Sequence, residues 1–129
     1  METTIRPLEK WNVSKSNNFS YMFYECSSLS DIGPLEKWNV SNGKDFSCMF
    51  SWCTSLSDIK PLEKWNILNG INFNHIFYNC SHLLNLLNLK TLDKWKNLNK
   101  NFGNISNTHD NKIITFGNPF YDLKKTFNI

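Results

Sequence analysis

Four cysteines and three histidines are the side chains of this 129-residue chain best suited to metal or nucleophilic chemistry. Cys26, Cys53 and Cys80 recur at an interval of 27 residues. Structural metal sites use closely paired ligands a few residues apart. Cys80, with His75 and His82 nearby, lacks that pairing, and no metal site is assigned. Each of the three cysteines instead closes an apolar stripe, the setting of a buried, unreactive thiol. Cys48, beside Met49 on the outer side, is the one thiol that could oxidise or link two copies. Glu9, Glu36, Glu63 and Asp93 suggest an acidic column, but each is followed by Lys10, Lys37, Lys64 or Lys94. Neighbouring ammonium groups oppose Ca²⁺ binding, and exposed ion pairs of this kind contribute ~0–1 kcal/mol each. Asp31, Asp58 and Asn85 are placed to bond turn backbone. There is no G-x-S-x-G, H-E-x-x-H or phosphate-cradling loop, and His109 has no evident partner. No catalytic residue and no cofactor site is assigned, and an enzyme is not expected.

The elements that would position these residues are repeated. PLEKWNVS occupies 7–14 and recurs unchanged at 34–41, PLEKWNIL starts at Pro61, and TLDKWKNL starts at Thr91. The first two units agree at 18 of 27 positions. Three residues are inserted after Leu86, so Trp95 falls 30 beyond Trp65. Phe46, Met49, Phe50 and Cys53 lie at i, i+3, i+4 and i+7, which predicts an amphipathic helix in each unit. Ser41 and Asn69 are its expected N-caps. Such helices would be about ten residues long and would depend on packing against neighbours. SLSDI at 28–32 and 55–59 predicts a short strand, stopped by Pro34 or Pro61.

One short strand and one short helix per unit is the pattern of an α/β solenoid, a leucine-rich-repeat-like stack with a 27-residue period. The expected divisions are a repeat region at 1–95 and a divergent C-terminal cap at 96–129. Units fall at about 7–33, 34–60 and 61–90, with a degraded fourth from 91. Trp11, Trp38 and Trp65 would form one core column, Phe23, Phe50 and Phe77 a second, and Cys26, Cys53 and Cys80 a third. At helix spacing of about 8–10 Å the cysteines would lie beyond disulfide reach. In the cap, 112–116 reads as a strand. A helix starting at Asn118 and Pro119, with Phe120, Leu123 and Phe127 on one side, would cover the open edge. The inserted leucines at 84–89 either seal the core or expose a leucine face.

The run F-x-x-M-F-x-x-C-x-x-L-x-x-I, joined through W-N-V-S, resembles the BspA-like leucine-rich repeats, the DUF285 family. The spelling PLEKWNVSNG within a Lys- and Asn-rich chain looks most like the giant-virus versions. The resemblance covers residues 5–86. It implies protein binding or adhesion, with no catalytic residues to carry over.

Charge narrows the partners. The net charge of +3 is concentrated late, with 7 basic and 8 acidic residues in 1–86 but 7 and 3 in 87–129. A single arginine, Arg6, weighs against sequence-specific nucleic-acid binding, which favours arginine for bidentate recognition. Lys90, Lys94, Lys96, Lys100, Lys112, Lys124 and Lys125 leave open a weak, salt-sensitive nucleic-acid or membrane-surface role. No signal peptide and no membrane span is read, so an intracellular setting, host cytoplasm or virion, is expected. The first unit has no cap of its own, which suggests self-association through that end. Finally, the units differ at Tyr21/Cys48/His75, Tyr24/Ser51/Tyr78 and Glu25/Trp52/Asn79, all read as outward. Tyr21, Tyr24, Trp52, His75 and Tyr78 are therefore the candidate surface for an unidentified protein partner. The alternative is that outer positions drift and the aromatics gather there by chance.

Overall fold

The computed structural model describes residues 4–83, 86–95, 104–107 and 112–115. The repeated polar letters act locally. Asn12, Asn39 and Asn66 accept backbone N–H bonds from residues two further on. Asn18, Asp45 and Asn72 do the same for the next turn. Asp31 and Asp58 receive the N–H of Gly33 and Lys60. These side-chain turns bend the chain at fixed places in every unit. Pro7, Pro34 and Pro61 enter short 3₁₀ turns at Arg6–Lys10, Gly33–Leu35 and Lys60–Leu62, where their fixed φ fits and their missing N–H costs nothing.

The expected α/β solenoid is not formed. Residues 4–83 contain no α-helix and no strand, only the three 3₁₀ turns and isolated bridges from Asn18 to Asp45 and from Asp45 to Asn72. The stripe Phe46, Met49, Phe50, Cys53 lies on successive tight turns. The N–H groups of Phe46, Cys48, Phe50 and Trp52 donate to the carbonyls of Asn72, Asn74, Ile76 and Tyr78 in the next unit. Those of Phe19, Tyr21, Phe23 and Glu25 donate in the same way to Asp45, Ser47, Met49 and Ser51. Between them, Met49, Ser51 and Cys53 bond three residues back and close the turns. A helix needs those same donors for its own carbonyls four residues back. Ser41 and Asn69 are accordingly not N-caps: Ser41 donates its hydroxyl to Asn39, and Asn69 donates its amide to the Ser41 carbonyl at 2.9 Å. SLSDI likewise forms no strand: only its first residue lies in a turn, and the rest is irregular.

The turns need a left-handed residue every fourth position. Tyr21, Glu25, Cys48, Trp52, His75 and Asn79 have φ between 54° and 63°. A positive φ at the third place of a four-residue turn is the type II arrangement, normally given to glycine. Main-chain bonding between units also sets their spacing. Phe19 stacks on Phe46 at 5.3 Å and Phe46 on Phe73 at 5.1 Å. Phe23, Phe50 and Phe77 form a second column at 5.5 and 5.8 Å. The spacing is therefore near that of hydrogen-bonded backbone, not the 8–10 Å of packed helices, so distance is not what keeps the cysteines apart.

Beyond the units, α1 (Leu86–Trp95) packs on the third 3₁₀ turn. Its Asn88 is buried, donating to the carbonyls of Ser57 and Leu83 and accepting the N–H of Ile59. Trp95 is buried and stacks on Phe77 at 6.2 Å. Within the inserted segment Asn88 thus seals the third unit. β1 (Asn104–Asn107) pairs antiparallel with β2 (Lys112–Thr115), which lies where a strand was expected. The expected helix from Asn118, with Phe120, Leu123 and Phe127, lies outside the described residues.

Candidate functional site

The left-handed positions place the variable residues above one another on one side of the units. Tyr21, Tyr24, Cys48, Ser51, Trp52, His75 and Tyr78 line a single open cleft of ≈ 360 Å³. All five aromatic candidates are brought together. Tyr21 and Trp52 are 57% and 40% exposed, each at a left-handed residue whose side chain turns away from the core. Tyr21 meets Tyr24 edge-on at 5.3 Å, His75 meets Tyr78 at 5.2 Å, and Trp52 meets Tyr78 at 6.1 Å. No α-helix carries them, so "outer helix face" is corrected to a face of stacked turns. Two members of the same columns do not point outward. Ser51 is buried and donates its hydroxyl to the His75 carbonyl at 2.5 Å, and Asn79 is buried. Cys48 and Ser51, which carry no ring, line the cleft beside the aromatic residues. Their membership of the Tyr21 and Tyr24 columns was the available signal.

The electrostatics of the cleft are acidic and weak. The Tyr21 hydroxyl is raised above its ordinary pKa by hydrogen bonding to Cys48, then by charge on Cys48, by desolvation, and by Tyr24 and Asp45. Tyr24 is raised by desolvation and then by Glu25. Cys48 is half-buried, its sulfur 3.9 Å from the Asn74 carbonyl, rather than freely exposed.

A second cleft of ≈ 450 Å³ is lined by Asp58, Lys60, Glu63, Lys90, Thr91 and Lys94. Lys94 bonds Glu63, holding its carboxyl below the usual range. The basic surface expected of Lys90 and Lys94 is thus shared with acidic groups. Lys96, Lys100, Lys124 and Lys125 lie outside the described residues, as does the side chain of Lys112.

The core columns follow expectation with two corrections. Trp38 and Trp65 are buried, each donating its indole N–H at 2.9 Å to a leucine carbonyl in the preceding unit, Leu8 or Leu35. Trp11 is 55% exposed and is not a core residue. Phe23, Phe50, Phe77, Cys53 and Cys80 are buried, whereas Cys26 is only half-buried. The thiols of Cys53 and Cys80 donate to the carbonyls of Phe23 and Phe50.

A family model described as a Mycoplasma protein of unknown function, DUF285, matches residues 1–116. The chain belongs to the DUF285 family. No curated protein and no solved structure matches this DUF285 chain. Among its described residues no three His, Cys, Asp or Glu side chains converge as a metal set. No described helix is long and apolar enough to cross a membrane.

Proposed function

We propose that this DUF285 chain is a non-enzymatic scaffold that binds another protein through the aromatic cleft. The supporting observation is that Tyr21, Tyr24, Trp52, His75 and Tyr78, drawn from three units, line one shallow cleft. Exposed tyrosine and tryptophan in a weakly charged recess are the usual anchors of protein recognition. Identity in the core with variety at the cleft is how stacked repeats vary a binding surface. The resemblance to BspA-like leucine-rich repeats favours the same role, and the likeness to giant-virus versions would make the partner a host protein.

The test is affinity capture from a host-cell lysate by the full chain and by a Tyr24→Glu, Trp52→Glu, Tyr78→Glu variant with an unchanged circular dichroism spectrum. A protein held by the wild type and lost by the variant supports the scaffold. Equal capture by both removes the cleft as its binding surface.

A second reading, self-association, is favoured by Trp11, whose counterparts Trp38 and Trp65 are covered while it is not. Sedimentation that shows concentration-dependent assembly, abolished by Trp11→Glu, would establish it. A monomer at all concentrations would remove it.

A further inference from the structure

The phenylalanine columns and the cleft rings are arranged differently. In the core, Phe19 and Phe46 lie 9° from parallel, and Phe46 and Phe73 lie 5° from parallel. In the cleft, Tyr21 and Tyr24 cross at 63°, Trp52 and Tyr78 at 77°, and His75 and Tyr78 at 79°. Tyr78 takes part in two of these crossed pairs, so Trp52, Tyr78 and His75 form one aromatic group along the cleft. Each ring face carries the negative end of a quadrupole. A ring face left open at such a lining attracts cations, with tryptophan and tyrosine the strongest hosts.

The fixed charges agree with the rings. The lining residues include no lysine or arginine. Asp45 acts on the Tyr21 hydroxyl and Glu25 on that of Tyr24, each disfavouring further negative charge there. The cleft therefore has an aromatic lining without lysine or arginine, and Glu25 is the chain neighbour of its Tyr24. Its ≈ 360 Å³ exceeds a single ammonium group and leaves room for an aliphatic stem.

We propose that the cleft receives a lysine or arginine side chain of a partner protein, its cationic head against Tyr21, Tyr24, Trp52 and Tyr78. This rests on reading the cleft as a protein-binding surface and names the chemistry that would be recognised. An acidic or purely apolar partner segment is the wrong complement for this lining.

The experiment titrates the full ¹⁵N-labelled chain with acetyl-Gly-Gly-Lys-Gly-Gly-amide and with the same peptide carrying norleucine, which keeps the stem and drops the charge. The Trp52 indole signal is assigned by its loss in Trp52→Phe. It should move saturably with the lysine peptide, and binding should be at least about fivefold weaker with norleucine. Trp52→Leu should abolish the response of the Tyr78 backbone amide, while unmoved Trp38 and Trp65 indole signals show that the units remain folded. Equal affinity for the two peptides, or no response to the lysine peptide, overturns the inference. If that happens while a captured protein still depends on Tyr24, Trp52 and Tyr78, the scaffold reading stands alone. If the lysine peptide binds but no protein is captured, the cation preference stands and the scaffold reading falls.

Discussion

The Cys53 thiol donates to the Phe23 carbonyl, 3.1 Å away in the preceding unit, and Cys80 repeats the bond to Phe50 at 3.0 Å. Each thiol hydrogen adds a second bond to a carbonyl that already accepts a backbone N–H, and a thiolate could not make it.

Alkaline pH should therefore loosen the fold. Desolvation, with a smaller push from Cys26, raises Cys53 from 9.0 to about 12, and burial raises Cys80 in the same direction. The unfolded chain gives up these protons first. Their stabilisation is fully present below the ordinary thiol pKa of 9.0 and is lost as pH rises toward about 12. Thermal midpoints should hold steady to about pH 8 and fall by about pH 10. Cys53→Ser keeps a donor that does not titrate, so its midpoint should fall less steeply. An identical slope in the variant would show that Cys53 is not the group responsible.

Trp38→Phe keeps a ring against Phe19 and Phe23 but leaves the Leu8 carbonyl without its 2.9 Å indole partner. That carbonyl keeps the Trp11 N–H, so the expected cost is that of one hydrogen bond, about 0.5–1.5 kcal/mol by urea unfolding. Trp11→Phe should cost almost nothing, because Trp11 is exposed. Equal losses at the two positions would contradict the inter-unit bond.

Phe46 is fully buried between Phe19 and Phe73, so Phe46→Ala removes the middle of a column. A loss of about 3–5 kcal/mol is expected, a large part of a small domain's stability. Phe46→Leu, which refills most of the volume, should cost appreciably less. Chemical denaturation of both variants decides it.

Glu25 is held at φ 59°, where its Cβ is crowded. Relief of about 1–2 kcal/mol in Glu25→Gly outweighs the extra freedom that glycine gives the unfolded chain, about 1 kcal/mol. The glycine variant should melt higher than the wild type, and Glu25→Val, branched at Cβ, should melt lower. The same order of midpoints reversed would exclude backbone strain at this position.

The 27-residue interval, the buried phenylalanine columns and the residues that gather at the cleft were legible because each depends on which letters recur. The secondary structure was not. Phe46, Met49, Phe50 and Cys53 fit a helical stripe, yet the same spacing arises from tandem four-residue turns with a left-handed residue at Cys48 and Trp52. The choice is made by where the N–H of Phe46 goes, and that is to Asn72, a residue of the next unit that no local period reveals. Local clues did exist in the Asn and Asp at 18, 45 and 72. Asn12 and Ser14, or Asn18 and Ser20, resemble glycosylation acceptors on paper, yet their side chains bond each other. Trp11 carries the same letter as Trp38 and Trp65 and yet is exposed, which the repeat pattern alone does not reveal.

Bonding between units has a consequence for how such a chain can change length over generations. Main-chain N–H groups such as that of Phe46 reach forward to the next unit and others, such as that of Lys44, reach back, as do the indole, thiol and amide donors of Trp38, Cys53 and Asn42. A duplicated segment of one full interval carries both halves of every such bond, so it can be spliced in and find partners at once. A segment one residue longer or shorter would put every phenylalanine out of column and every donor beside the wrong carbonyl. Growth in whole intervals thus needs no new partners, whereas a shift within an interval must be accommodated, as it is after Leu86, where Trp95 still stacks on Phe77.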